Sequence, residues 1–450
     1  MNADRALPLL AGAPLAAPLA WRNGQPLSRS QYLADIAALA QQLPDGDAVL
    51  AVCNDRYRFA LSLGAALLRG QFNLMPPNHT PDMVERLRQL FPRAHGLLEA
   101  GGGPLALPSL RFEDIAPGHA GSVAETPCFA PGTVVAQVLT SGSTGQPTRH
   151  AKRWDLLVEN IRAEAQRIAG HLGRASLEGV SLLGTVPPHH MYGFESTVLL
   201  AMLGGASFAA EKPLLPADIA RVLAALPRPR VLVTTPYHLK MLLDAGTPLP
   251  ELDLVLSATA PLSPQMAARA EAAWQAPLVE IYGCTEAGQV ATRRTTDGPE
   301  WLAYDGVRLQ GDGAESVVSG GHVPEPTLLA DVLEVLSPTR FRLLGRSNDL
   351  INVAGKRSSL SHLNFQLNSI EGVRDGAFWL PQADSVEGVA RPVAFVVSDT
   401  LSREALLAAL RQRLDPVLLP RRIVMLPSLP RDATGKLPAQ RLAALAAEHL

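Results

Sequence analysis

Two short segments of this 450-residue chain carry residue types that could handle a phosphate chain. Thr140-Ser141-Gly142-Ser143-Thr144-Gly145 places four hydroxyls and two glycines in one turn. Backbone N–H groups freed by the glycines, together with the hydroxyls, can wrap an anionic phosphate chain near a helix N-terminus. Taken alone, the segment reads equally well as a plain Ser/Gly-rich connection. It is not a Walker A loop, because no Gly-Lys-Ser/Thr follows at the required spacing. The later Gly435-Lys436 fails the same test, since Pro430 stands where the first glycine should be. The second segment, Tyr282-Gly283-Cys284-Thr285-Glu286, ends an apolar run at a turn. Open α/β sheets bind ligands at the carboxyl ends of parallel strands, so the Thr285 hydroxyl could meet a phosphate there. Glu286 could hold a Mg²⁺ that bridges phosphate oxygens. Cys284 reads as a small packing residue and not as a nucleophile.

Positioning these residues requires an alternation of strands and helices, and the chain supplies one. Apolar residues recur at helical spacing over 29–43 and 56–68, with the short apolar run 48–53 between them. Residues 133–139 form a β-branched run, 140–145 a loop, and 154–172 a long amphipathic helix, which reads as strand, phosphate loop, helix. Short apolar runs at 180–186, 231–234, 252–256 and 278–282 alternate with helical stretches, the signature of a largely parallel sheet covered by helices. From about 291 to 344 the helical period fades into short alternating runs, a β-rich subdomain. Beyond 345 a piece of about 100 residues, large enough for a domain, mixes short strands with helices. The predicted class is α/β, with a large N-terminal domain over 1–345 and a small mobile α+β C-terminal domain over 346–450.

Composition agrees and excludes other classes. A single core stops growing at roughly 250–300 residues, so the chain must divide into at least two domains. Lys and Arg total 40 against 42 Asp and Glu, a formal charge of −2 that gives no footprint for nucleic acid. Cys53, Cys128 and Cys284 lie far apart without metal-ligand spacing, which argues against a disulfide framework or a structural zinc. The apolar stretch 7–20 is interrupted by Pro8, Pro14 and Pro18 and is too short to span a membrane. It is read as an extended segment packed on the fold, and the chain as soluble and cytoplasmic.

The two phosphate-binding candidates resemble the nucleotide-binding signatures of the adenylate-forming superfamily of acyl- and aryl-CoA ligases, peptide-synthetase adenylation domains and luciferases. Further segments match in the expected order. Pro187-Pro188-His189-His190-Met191-Tyr192-Gly193 is similar to the P-x-x-H-x-x-G segment beside the carboxylate pocket. Ser257-Ala258-Thr259-Ala260-Pro261-Leu262 is similar to the S-G-G-A-P-L turn that lines the adenine. Asp331 matches the acid that binds the ribose hydroxyls, although its usual T-G-D setting is lost. Gly345-Arg346-Ser347-Asn348-Asp349, with Ile351 to Arg357 after it, resembles the hinge motif, and 429–436 resembles the loop that carries the catalytic lysine, here Lys436.

The resemblance implies a reaction and its residues. A carboxylic acid attacks the α-phosphorus of ATP to give an acyl-adenylate, which a phosphopantetheine thiol of CoA or of an acyl carrier protein then takes up. Thr140, Ser141, Gly142, Ser143, Thr144 and Gly145 would hold the β,γ-phosphates, Thr285 the α-phosphate, and Glu286 the Mg²⁺. Ala260, Pro261, Tyr282 and Gly283 would line the nucleotide, and Asp331 and Arg346 would bind its ribose. His190 would border the acid, Lys436 would bridge acid and α-phosphate, Asn348 would be the pivot, and Gly355 would line the thiol channel. The lysine that usually follows the loop proline is missing: Pro147 precedes Thr148 and Arg149, leaving Arg149, His150 and Lys152 as alternative sources of positive charge. His189, His190, Tyr192, Tyr237 and His238 suggest a polar-aromatic pocket suited to an aryl or short acyl acid, hydroxybenzoate-like. A ligase confined to carrier-protein loading, or a non-catalytic scaffold relative, would share these motifs.

Overall fold

The computed structural model describes residues 6–114, 118, 125–141, 147–311, 315–346, 350–353, 356–381, 392–431 and 437–449. The alternation resolves into two large sheets. A six-stranded sheet runs, in spatial order, Pro147–Arg153, Val134–Ser141, Phe72–Met75, Ala48–Val52, Ala94–Leu98 and Ser109–Arg111. All its neighbours are parallel except the hairpin of its first two strands. The eleven-stranded sheet has a parallel centre of Leu278–Cys284, Leu254–Ser257, Arg230–Thr234, Ser181–Gly184, Ser207–Ala209 and Pro18–Arg22. These central strands are near-continuous apolar runs because helices cover both of their faces. Beyond Leu278–Cys284 the sheet continues antiparallel through Gly288–Arg294, Glu300–Ala303, Arg340–Arg346 and Asp331–Ser337. Together with a three-stranded sheet over 308–329, these strands make the β-rich region expected between 291 and 344.

Local chemistry starts the helices where the sequence places them. Ser28, Asp55, Thr80, Thr235 and Ser263 each accept a hydrogen bond from a first-turn N–H, and proline follows three of them. The N-terminal stretch is extended and packed: Leu7, Leu9, Leu10 and Leu19 are buried. Leu7–Pro8 pairs with Cys128–Phe129. No described helix is long and apolar enough to cross a membrane.

One expectation is corrected. The Thr140–Gly145 segment does not join a strand to a helix; it joins Val134–Ser141 to a second strand, Pro147–Arg153, paired antiparallel with it. The helix Trp154–His171 begins only after that strand and has no side-chain cap. A phosphate held by this loop would therefore meet hairpin backbone and hydroxyls, and not a helix N-terminus.

Two buried arginines tie the sheets to their covering helices. Arg56, at the start of the helix Arg56–Leu68, donates to the carbonyls of Ala209 (3.1 Å), Glu211 (3.1 Å), Gly184 (3.1 Å) and Val186 (2.8 Å). Arg29, at the start of Arg29–Gln42, donates to Ala11, Ala201, Met202 and Ala206 carbonyls. Both are fully buried, and burial lowers each guanidinium to about 10, still charged at neutral pH. A planar fork with five donors can satisfy carbonyls from several strand ends at once, which an ammonium cannot. Gly184 is required beside it, since a Cβ there would lie 2.6 Å from Arg56 Nη2.

C-terminal to these sheets lies a three-stranded sheet of Asp375–Trp379, Val393–Val397 and Arg422–Met425. It is flanked by the helices Leu360–Asn368, Arg403–Arg411 and Ala439–His449. The apolar clusters separate cleanly: those of the large sheets use residues up to Phe341, and those of the C-terminal part begin at Ile351. Polar contacts between the parts include Lys240 Nζ donating to the Val373 carbonyl at 3.1 Å.

Arg56→Met should leave several buried carbonyls without donors and destabilise the chain by about 3 kcal/mol or more. Arg56→Lys should recover less than half of that loss. Denaturant unfolding of both variants measures this, and a loss under about 1 kcal/mol for Met would contradict the clamp.

Candidate active site

Strand alternation along Pro147–Arg153 sorts the three candidate cations. Thr148, His150 and Lys152 share one face with Thr140, whereas Arg149 points the other way, its guanidinium 5.9 Å from the Phe91 ring centroid. On the site face, His150 Nε2 lies 3.0 Å from Thr140 Oγ1 and 4.0 Å from Glu286 Oε1. Lys152 donates from Nζ to the carbonyl of Thr285. The hairpin and the Leu278–Cys284 strand end, far apart in sequence, thus meet side chain to side chain. Of the predicted loop, Thr140 and the backbone of Ser141 are in place in the strand, while Gly142, Ser143, Thr144 and Gly145 lie outside the described residues.

The strand end is shaped by glycine. Gly283 sits at a register shift against Gly288–Arg294, and a Cβ there would meet the Gly288 carbonyl at 2.4 Å. This close approach turns Thr285 and Glu286 toward the hairpin, with Thr285 half-buried and Glu286 exposed. Cys284 packs against apolar neighbours, and burial pushes its thiol up to about 12, consistent with a packing role. Tyr282 donates its hydroxyl to Asp331 Oδ2 at 2.9 Å. Asp331 stands directly opposite Arg346 in the antiparallel register, so the two residues assigned to a ribose come together.

The Ser257–Leu262 turn holds Thr259, Ala260 and Pro261 exposed at the next strand end. Thr259 has φ +81°, a left-handed conformation that a β-branched residue adopts only under strain. Buried Glu280 fixes the turn by accepting from Leu262 N at 3.2 Å while Arg293 and Thr295 hold its other oxygen.

The expected acid-side residues divide. His189 and His190 lie with ring centroids 4.8 Å apart and planes tilted by 38°, and His79, from the loop after Phe72–Met75, meets His189 at 4.9 Å with a tilt of 57°. Burial drives His189 and His79 below the ordinary imidazole range, so both stay neutral. Sequence reasoning missed His79, whose only signal is its place just after the Pro76-Pro77-Asn78 turn. Tyr192 is buried. His238 is instead a core residue, its Nδ1 3.2 Å from Thr185 Oγ1 and 3.1 Å from Thr235 Oγ1, while its buried Nε2 meets no hydrogen-bond partner among the described residues. Tyr237 is exposed at 50%.

A buried polar cluster under the hairpin was not anticipated. Asn160 donates to Glu195 at 2.7 Å; Gln289 donates to Ser196 at 3.1 Å and accepts from Tyr304 at 3.0 Å. Burial raises Glu164 to about 7, with Ser196 and Gln289 the polar groups that oppose the rise, though neither closes a hydrogen bond to its sealed oxygens. Burial likewise raises Glu195 to about 8, opposed by the charge of Lys152. Lys152 is itself lowered by burial and sustained by Glu195, Cys284 and Glu286. A cavity of about 240 Å³ opens over this cluster, lined by Lys152, Asn160, Glu195, Glu286 and His322 among others.

No group of three or more potential ligands for a metal occurs among the described residues. A single exposed carboxylate, Glu286, nevertheless fits Mg²⁺, which commonly takes one or two protein carboxylates and completes its shell with phosphate oxygens and water. Asn348, Gly355 and Lys436 lie outside the described residues, as does the side chain of Arg346.

Comparison with known proteins gives a consistent picture. The sequence profile of the AMP-binding enzyme matches residues 37–309, and that of the AMP-binding enzyme C-terminal domain matches 369–436. A 4-coumarate--CoA ligase of Rhodobacter capsulatus is 31% identical over 281 residues, covering 62% of this chain and 68% of its own. Triostin synthetase I of Streptomyces triostinicus is 27% identical, covering 81% of this chain and 73% of its own. Among solved structures, the anthranilate CoA ligase AuaEII in complex with anthranoyl-AMP superposes with a TM-score of 0.79 at 16% identity, covering 98% of this chain and 99% of that one, a likeness of fold.

The raised Glu164 carboxyl makes stability depend on pH with a definite sign. Between its ordinary 4.5 and about 7 the folded state holds a proton that the unfolded state has lost, so stability falls as pH rises through that window. Glu164→Gln should therefore be more stable than the natural chain by roughly 1–3 kcal/mol at pH 8, with the difference closing below about pH 4.5. Melting curves at both ends of this range check it; an equal shift at both would show that the carboxyl does not titrate as described.

Proposed function

The chain belongs to the AMP-binding enzymes of the adenylate-forming superfamily, and from that membership we propose that its acid is aromatic or short acyl, hydroxybenzoate-like. It is an AMP-forming acid–thiol ligase: ATP activates a carboxylic acid to an acyl-adenylate, which passes to the phosphopantetheine thiol of CoA or a carrier protein. The observation that carries the assignment of the site is the meeting of the hairpin with the Tyr282–Glu286 turn, where His150 bridges toward both Thr140 and Glu286.

In the first half-reaction a carboxylate oxygen attacks the α-phosphorus, and the bond to the β-phosphate breaks to release pyrophosphate. Catalysis is then chiefly positioning and charge stabilisation. Thr140 and the loop after it hold the departing phosphates, and Thr285 the α-phosphate. Glu286 holds Mg²⁺, which when bound supplies Lewis-acid charge neutralisation. Asp331, opposite Arg346 and in contact with Tyr282, takes the ribose, and exposed Ala260 and Pro261 the adenine. Lys436 neutralises charge developing between acid and α-phosphate. In the second half-reaction the thiol attacks the acyl carbon and AMP leaves. A division between 345 and 346, with Asn348 as pivot, would let residues 346–450 withdraw Lys436 and present Gly355 to the thiol; the separation of apolar clusters between Phe341 and Ile351 supports it.

The acid preference rests on the tilted cluster of His79, His189 and His190. Its rings, of which His79 and His189 are held neutral by burial, offer aromatic faces and hydrogen-bonding edges, which suit a ring or a hydroxyl better than an alkyl chain. Two of the three named relatives act, by their names, on coumarate and anthranilate, both aromatic acids.

ATP–pyrophosphate exchange over a panel of aromatic and aliphatic acids should show the highest kcat/KM with a hydroxylated aryl acid, at least about tenfold above a medium-chain alkanoate. A reversed order would refute the acid preference, and exchange with no acid would favour a scaffold relative. Lys436→Ala should abolish adenylate formation from acid and ATP while sparing thioester formation from a preformed adenylate. Equal loss of both half-reactions would remove Lys436 from its assigned step.

A further inference from the structure

We propose that Lys152 is the cation of the phosphate site, and that it positions the Thr285–Glu286 turn through its hydrogen bond to the Thr285 carbonyl. The inference rests on the reading of the chain as an adenylating ligase and names a residue of its nucleotide site that no sequence motif identifies.

Four observations converge on it. First, the hairpin face that meets the turn carries Thr148, His150 and Lys152, and of these lysine is the one strong base. Arg149, nearer the loop, is directed to Phe91 on the opposite face. Secondly, Lys152 is buried, yet its ammonium reaches across from one sheet to the other and ends on the backbone of Thr285. Burying a lysine is costly unless its charge is used or compensated. Thirdly, its compensation is incomplete: Glu195 and Glu286 sustain its charge, but Glu195 is also bonded by Asn160, and Glu286 is half-exposed at the cavity. Fourthly, Lys152 and Glu286 line the same cavity of about 240 Å³, so a phosphate oxygen bound beside Glu286 would lie within the field of the ammonium.

The chemistry follows from these positions. An ATP phosphate chain brings several negative charges to a site whose described carboxylate would repel it, and Mg²⁺ on Glu286 relieves only part of that. Lys152 offsets the remainder from beneath the turn. It also fixes the carbonyl of Thr285, which sets the direction of the Thr285 side chain. Lys152 acts here as a positioning residue, and its removal changes nucleotide binding before any acid is present.

Equilibrium binding of MgATP to the full chain, measured calorimetrically without acid, tests this. Lys152→Met should weaken ATP at least about tenfold, the scale of a lost charged hydrogen bond. Lys152→Arg should stay within about threefold of the natural chain, since it keeps the charge. Adding Thr148→Lys, on the same face, to Lys152→Met should recover a substantial part of the loss. Should Lys152→Met leave Glu195 too poorly compensated to fold, Lys152→Met with Glu195→Gln removes that charge, and the same loss of ATP is expected. Unchanged ATP affinity in a folded variant without the lysine overturns the proposal. So does a loss that neither Arg at 152 nor Lys at 148 recovers, which would mark a packing role. If the natural chain itself binds no MgATP, the ligase reading fails, and this inference fails with it.

Discussion

The floor of the site depends on a buried charge whose hydrogen bonds all go to backbone carbonyls. Arg56 sits where the helix Arg56–Leu68 meets the carboxyl ends of Ser181–Gly184 and Ser207–Ala209, and its guanidinium is held by four carbonyls with no carboxylate among the hydrogen-bond partners. A buried ion pair could be replaced by apolar residues at little cost, but a cation shared by several strand ends cannot, because each carbonyl would need its own donor. The Val186 carbonyl is one of the four, so the chain leaving the strand toward Pro187 and the clustered histidines departs from a fixed point. Gly184 leaves the space that this requires, and Arg29 repeats the device under the neighbouring helix. The floor beneath the proposed acid pocket is thus an electrostatic construction as much as an apolar one.

Periodicity made the frame legible and failed where side chains serve the site. The helices at Arg56–Leu68 and Pro264–Trp274 lie where their apolar spacing predicts, and the buried parallel strands are the short apolar runs. The strand Pro147–Arg153 was invisible because Thr-Arg-His-Ala-Lys-Arg has no apolar face: one side carries His150 and Lys152 into the site and the other carries Arg149. Strand propensity reports a half-buried pleated surface, and here Thr148, Arg149 and Ala151 are exposed and the buried side chain is a lysine. The pairing of Tyr282 with Asp331 was likewise beyond sequence spacing, since only the antiparallel extension of the sheet brings them together. Glu164 did leave a signal. It falls on the buried stripe of its helix with Leu157, Ile161 and Ile168, and an acid in that register is either paired or neutral.

That neutrality bears on how the site keeps its field. Glu164 and Glu195 are sealed beneath the hairpin, and burial holds both carboxyls above the ordinary range. Of the two, Glu195 acts on Lys152, and fully ionised it would offset the ammonium within the protein. Raised as it is, it offsets that charge only in part, while the ammonium contacts the Thr285 carbonyl and lines the cavity before Glu286. Asn160 and Gln289 complete the arrangement by supplying hydrogen bonds to the cluster without adding charge.

The same trade of stability for function recurs at the nucleotide turn. Thr259 holds a left-handed backbone that glycine would adopt freely, at a cost of order 1–3 kcal/mol. The strain persists because the turn is over-determined from beneath: Glu280 grips Leu262 N, and Arg293 and Thr295 grip Glu280. A turn so held presents Ala260 and Pro261 to solvent, whereas the turn at Thr285 is met by the long unbranched side chain of Lys152. On the proposed assignment, the adenine would rest on a turn braced by a buried ion pair and the phosphates beside a turn braced by a side chain with four rotatable bonds. Such a difference would suit a reaction in which the base stays fixed while phosphates are bound, cleaved and released.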